Sequence, residues 1–205
     1  MIEVIVADLG GVVARFCPKR RLQELSALSG VPEARIEESL FSSGFERRAE
    51  TGEYRFDEVV DAVREALDGR VDEAAIIEAW AKAFEIDAEV LEYLAALPLR
   101  RALFTNNGPM LDACLAGALR SLTETFGEVV CSWQIRARKP DAVAFERAAE
   151  RLGCRPHGLL LLDDSAENVA AAIGAGWDAE CVTGLDAVRA AIERRPELRN
   201  GPSGG

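Results

Sequence analysis

The sequence predicts an α/β fold, a parallel sheet core flanked by helices, with a small α-helical cap inserted near its start. Three observations carry this. Apolar runs at Ile2–Ala7, Arg101–Phe104 and Leu159–Leu162 each stop abruptly at polar residues, as buried parallel strands do. From Arg100 onward such strands alternate with helical patterning, which implies right-handed crossovers in one sheet. Between the first strand and that alternation lies helical patterning too long for a simple crossover.

Ile2–Ala7 carries one charge, Glu3, and reads as a buried strand. Helical spacing then recurs in Arg21–Ser29, Glu33–Phe41, Phe56–Leu67, Glu73–Phe84 and Ala88–Leu97, punctuated by Gly30-Val31-Pro32, Gly44, Gly52 and Asp68-Gly69. Strand Arg101–Phe104 leads through Thr105-Asn106-Asn107-Gly108 into a helix over Pro109–Leu119, and Glu128–Ser132 is the next strand. Pro140–Leu152 reads as a helix with proline in its first turn. Leu159–Leu162 runs into Asp163-Asp164 and a helix over Ser165–Gly174; strand Asp178–Val182 and helix Asp186–Arg194 close the pattern. The expected division is a core of 1–14 and 98–200, a cap of 15–97, and a disordered tail at 201–205.

Half of the 205 residues are hydrophobic (49%) and 29% are charged, a globular balance. A net charge of −11 argues against a nucleic-acid or anionic-membrane partner, although a bound cation can still admit an anionic substrate. The five cysteines are odd in number and lack a Cys-x-x-Cys pair, which suits reduced thiols in a cytoplasm. Residues 1–7 are too short and acidic for a signal peptide, and no apolar run approaches membrane-spanning length.

Asp8-Leu9-Gly10-Gly11-Val12 follows the first strand, so one carboxylate reaches the sheet rim where ligands bind in open α/β sheets. The glycines permit close backbone approach or a positive φ. Two further strands end at Thr105-Asn106-Asn107 and at Asp163-Asp164, and parallel strands bring all three ends to one edge. Lys139-Pro140, in Arg136-Ala-Arg-Lys-Pro, precedes a helix. Carboxylates without histidine or cysteine partners suit a hard cation, Mg²⁺ above all. A lysine and a hydroxyl suit an anion held against it. Each feature has a plainer reading when taken alone. Asp8 and Thr105–Gly108 suit turns, and Asp163-Asp164-Ser165 suits a helix cap. Arg136 and Arg138 read as solvent-facing, and Arg47, Arg48 and Glu50 as a solvated helix end or as substrate readers. Arg15 and Phe16 read as lining a cleft mouth. His157 reads as structural or exposed, and Trp80, Trp133 and Trp177 as packing residues.

These four segments, in this order, resemble the motifs of the haloacid dehalogenase-like (HAD) superfamily, whose members share a Rossmann-like core and are mostly Mg²⁺-dependent phosphatases. Asp8 matches the nucleophile, Thr105 the motif II hydroxyl, Lys139 the motif III lysine, and Asp163-Asp164 with Ser165 and Asn168 the motif IV acids. The resemblance implies attack by Asp8 on phosphorus and hydrolysis of the resulting aspartyl-phosphate. It implies Mg²⁺ held by Asp8, the Gly10 carbonyl, Asp164 and Asp163, the last directly or through water. Thr105, the Asn106 N–H, Gly10, Gly11 and Arg15 would meet phosphate or substrate, Lys139 would neutralise charge and restrain Asp8, and Asn168 would orient the motif IV loop. One position departs: most family phosphatases carry a second aspartate where Gly10 stands, and losing a general acid costs about 10²–10⁴-fold. An activated phosphate, such as a sugar-1-phosphate or acyl phosphate, tolerates that loss. A bacterial subgroup with Asp-Leu-Gly-Asn-Val-like motifs, in which glucose-1-phosphate phosphatase activity is known, resembles this arrangement. The expected substrate is a small phosphorylated metabolite, and the expected assembly a monomer or homodimer. The alternatives are a metal-independent 2-haloacid dehalogenase and a catalytically weak binding or regulatory protein.

Overall fold

Every residue of β1 (Val4–Ala7) is buried, as a strand covered on both faces requires. The computed structural model describes residues 1–69, 71–196 and 198; the expected tail at 201–205 lies outside them. After β1 the chain forms β2 (Ala14–Phe16) and then a helical segment. This comprises α1 (Pro18–Ser29), α2 (Glu33–Ile36) running into a π-helical turn (Glu37–Ser42), α3 (Phe45–Glu50), α4 (Phe56–Ala66) and α5 (Glu73–Ala81). β3 (Phe84–Ile86) closes that segment by pairing antiparallel with β2, Phe16 opposite Phe84 and Ala14 opposite Ile86.

The remainder alternates: α6 (Ala88–Ala95), β4 (Arg100–Thr105), α7 (Met110–Ala116), α8 (Arg120–Phe126), β5 (Glu128–Cys131), α9 (Ser132–Ile135), α10 (Ala142–Leu152), β6 (Leu159–Asp163), α11 (Ala166–Gly174), β7 (Asp178–Cys181) and α12 (Gly184–Glu193). Five strands form one parallel sheet in the order β5-β4-β1-β6-β7. The two-residue period of each strand sorts the core. Val4, Val6, Phe104 and Leu161 pack with Phe145 of α10 and Ala172 of α11. Ile5, Leu103, Leu160 and Leu162 face the other way, onto Val90 of α6, Leu122 of α8 and Val188 of α12. α6, which falls within the expected cap by sequence, packs against α8 and α12.

The structure corrects two local expectations. Phe84 was expected to end a helix, but α5 stops at Ala81 and Phe84 belongs to β3, whose partner β2 lies far away in sequence. Pro140 was expected in the first turn of a helix. Instead the Asp141 N–H donates to the Arg138 carbonyl at 2.9 Å, closing a turn around Lys139 and Pro140, and α10 begins after Asp141. Among the described residues no helix is long and apolar enough to cross a membrane, and all five cysteines are free thiols.

Candidate active site

The sheet is wound outward from β1 in both directions, so the carboxyl ends of β1 and β6 flank the point where strand order reverses. Ligands of open α/β sheets bind at such a point. Asp8 follows β1, its N–H continuing the ladder to the Leu162 carbonyl at 2.8 Å. Thr105 ends β4, and Asp163 ends β6 with Asp164 next to it. Lys139 comes from the loop between α9 and α10. The four segments singled out by sequence therefore meet.

Lys139 is the hub. Its buried ammonium donates to Asp8 Oδ1 at 3.0 Å, Asp163 Oδ2 at 2.6 Å and the Phe104 carbonyl at 2.8 Å, which uses all three protons. Burial works to lower its pKa, but Asp8 and Asp163 outweigh burial and hold it above the ordinary lysine value. Burial raises the Asp8 carboxyl to about 6, with Asp163 adding and Lys139 opposing. Asp163 is fully enclosed: Oδ1 accepts from the Ser165 N–H and from Asn168 Nδ2, both at 2.9 Å, while Oδ2 serves Lys139. Asp164 is the exposed member, its pKa raised by partial burial and by Asp163.

Asp8, Asp163 and Asp164 each place one carboxylate oxygen within 4.8 Å of the others. Lys139 offsets part of the charge of these three hard oxygen donors, and a divalent cation would offset the rest, so the donor set fits Mg²⁺. Gly11 makes room for Asp164. Its φ is +84°, and a Cβ there would fall 2.0 Å from Asp164 Oδ2. Gly10 differs: a Cβ would meet only Phe16, at 3.4 Å and beyond, an ordinary contact, so the missing side chain at position 10 is not a steric necessity.

Residues 2–176 match the family of haloacid dehalogenase-like hydrolases. The chain belongs to that family. Among relatives, phosphatase MT3486 of Mycobacterium tuberculosis is 27% identical over 202 residues, covering 88% of this chain and 87% of that protein. A predicted HAD-like family hydrolase from Porphyromonas gingivalis superposes with a TM-score of 0.74 at 27% identity, over 95% of this chain and 97% of that one. The HAD family enzyme bt-2542 of Bacteroides thetaiotaomicron, solved with magnesium and inorganic phosphate, gives 0.73 at 21% identity over 93% and 99%, a likeness of fold.

In this HAD-like hydrolase the site floor opens into a cavity of about 470 Å³, roofed by Phe16, Phe84 and two acids of α3, Glu46 and Glu50. α3 seats on the core, where a Cβ on Gly108 would lie 3.2 Å from that of Ala49. Arg138 does not face solvent as its basic run suggested. It lines the cavity and pairs with Glu50 at 3.0 Å, because the turn that presents Lys139 to the floor aims its neighbour at α3. Arg136 is exposed, as expected. Arg15 lines the mouth but is bound to Glu85 across the β2–β3 pair. Arg48 is turned away to the Tyr54 hydroxyl at 2.9 Å. His157 is exposed just before β6, at the opposite edge of the sheet.

Two supports escaped the sequence reading. Asn106 grips the main chain of Lys139, its Oδ1 accepting the Lys139 N–H at 2.9 Å and its Nδ2 donating to the Lys139 carbonyl at 2.8 Å. Arg21 of α1, only 2% exposed, holds Glu46 at 2.8 Å with its guanidinium over the rings of both Phe41 and Trp80, 4.4 and 4.2 Å from their centroids. The Asn106 pairing had no local signal. Glu46 had little, since α3 is only six residues long.

Proposed function

We propose that this protein is a Mg²⁺-dependent phosphatase that hydrolyses a small phosphorylated metabolite, such as a sugar-1-phosphate, through an aspartyl-phosphate on Asp8. The observation that carries the reading is the Lys139 ammonium bonded to Asp8 and Asp163 beside the three clustered carboxylates.

Asp8 and Asp164 would hold the cation, with the Gly10 carbonyl beside them and Asp163 reaching it directly or through water, since both Asp163 oxygens already serve protein donors. When bound, the ion neutralises charge between carboxylate and phosphate and favours the ionised Asp8. Asp8 then attacks phosphorus with the oxygen not restrained by Lys139. Thr105 accepts from Asn107 Nδ2 at 2.8 Å, which leaves its own hydroxyl proton for a phosphate oxygen. The Asn106 N–H, Gly10 and Gly11 line the same rim, and Lys139 offsets charge as it builds on phosphorus. Asn168 fixes the Asp163 carboxylate from α11. The segment between β2 and β3 acts as the cap, supplying substrate contacts and excluding water from the attack.

A panel of phosphorylated metabolites with and without Mg²⁺, with 2-chloropropionate included, tests the reading. Phosphate release that depends on Mg²⁺, and its loss in a folded Asp8→Asn variant, is the expected outcome. Chloride release without metal, or wild-type turnover by Asp8→Asn, would overturn it.

A further inference from the structure

Gly10 has no proton to give, yet the cavity above it contains carboxyl groups. Glu46 and Glu50 of α3 line the same cavity as Asp8, Thr105 and Lys139, facing them from the roof. A phosphate seated on the floor directs its organic substituent toward that roof. Glu46 is committed to the enclosed Arg21. Glu50 is the more enclosed of the two, its side chain 16% exposed against 30%, and its partner Arg138 also lines the cavity.

We propose that Glu50 is the general acid and base of this hydrolase, presented by the inserted helices to the leaving oxygen in place of the carboxylate absent at position 10. The proposal rests on the phosphatase reading above. In the first step an Asp8 oxygen forms a bond to phosphorus and the bond from phosphorus to the leaving oxygen breaks. That oxygen keeps the electron pair and takes the Glu50 proton, so the alcohol departs and Glu50 becomes a carboxylate beside Arg138. In the second step water attacks the same phosphorus and gives a proton back to Glu50. The bond to Asp8 breaks, and Asp8 and inorganic phosphate are released.

The charged groups facing Glu50 are Arg138 from the Lys139 loop, Glu46 and Arg47 from its own helix, and Arg21 from α1. Burial raises its carboxyl to about 7; Arg138 opposes this and Glu46 adds to it. A group near the working pH can both donate and accept a proton. Cap and core thus share the chemistry: the sheet holds nucleophile and phosphate, and the cap brings the proton. A cap that has not closed leaves the alcohol without its donor, which ties bond cleavage to closure.

The test uses the full chain with Mg²⁺, as wild type, E50Q and the double variant G10D/E50Q. Two substrates differ in what their leaving groups need. Nitrophenolate departs from p-nitrophenyl phosphate without a proton, whereas the alkoxide of glycerol 2-phosphate requires one. First-turnover rates isolate the phosphoryl transfer to Asp8. The expected result for E50Q is a one-equivalent burst of nitrophenolate at near wild-type rate, with glycerol 2-phosphate slowed about 10²-fold or more. G10D/E50Q, whose new Cβ would meet only Phe16, should recover the alkyl phosphate rate. In the metal-free protein, ¹³C NMR should show a glutamate carboxyl titrating near pH 7 that is missing in E50Q. Equal slowing of both substrates would make Glu50 a latch for Arg138 and overturn the proposal, as would an unchanged alkyl rate or a resonance titrating at the ordinary glutamate value. Wild-type silence on both substrates, together with no Mg²⁺-dependent phosphate release across the metabolite panel, would sink the phosphatase reading itself.

Discussion

Lys139 and Glu50 are both enclosed ionisable side chains, and their surroundings treat them oppositely. Lys139 meets two carboxylates and a carbonyl, so its charge is compensated despite burial. Glu50 meets Arg138, but Glu46 and burial offset that help and its carboxyl rises from 4.5 to about 7. The folded protein therefore holds this proton more tightly than the unfolded chain does. Stabilisation from that proton is complete below about pH 4.5 and is lost as pH climbs through about 7. Urea midpoints of wild type and Glu50→Gln, measured from pH 4.5 to 7.5, should differ by an amount that changes steadily with pH, the wild type losing ground as pH rises. Subtraction removes the other titrating groups. A constant difference would mean that Glu50 ionises in the folded protein as it does in the unfolded chain.

At the scale of elements, strands deliver residues one at a time, and a loop then has to be pinned to them. β1, β4 and β6 fix Asp8, Thr105 and Asp163 through ladder register, whereas Lys139 sits on a turn with no strand of its own. Asn106, one residue beyond β4, replaces the missing register with two reciprocal bonds to the Lys139 backbone. Asn106→Ala should cost about 1–3 kcal/mol of stability from two lost hydrogen bonds. Release of the loop should lower kcat by on the order of 10²-fold through misplacement of the ammonium. Chemical denaturation and steady-state kinetics read the two effects separately, and unaltered kcat would show that the turn holds itself. The strand ends and their acids were legible in the sequence, because a buried strand that stops at a carboxylate is a local pattern. β2 and β3 were not, since each has three residues and finds its partner across the whole inserted segment. α3 has six residues, too few for helical spacing to declare itself, so Glu46 stayed out of view and Glu50 read as a solvated helix end or a substrate reader. Arg138 misled for a related reason: a run of basic residues reads as surface unless the turn that aims each of them is known.

Across the whole molecule, the helices between β2 and β3 have, among the described residues, no core separate from the sheet. One contiguous apolar cluster joins Leu25, Ile36, Val63 and Trp80 of that segment to Leu103 and Leu160 of the sheet and Val188 of α12. α5 packs on α7 and Gly108 receives Ala49, so opening the cap widely would expose much of this shared surface. Hydrophobic burial scales with area removed from water, so elements sharing one cluster should lose it together. The three tryptophans suit a test, because each reports on a different region. Trp80 lies under the inserted helices, Trp133 at the seam where Gly52 approaches its carbonyl, and Trp177 on the far face of the sheet with Phe104 and Phe145. Variants that keep one tryptophan and replace the others with phenylalanine should give coincident urea midpoints by fluorescence, matching the loss of far-ultraviolet circular dichroism. A Trp80 transition that precedes the Trp177 transition would show the cap melting alone. Closure over substrate would then be an ordering step and not a small rotation about the β2–β3 pair.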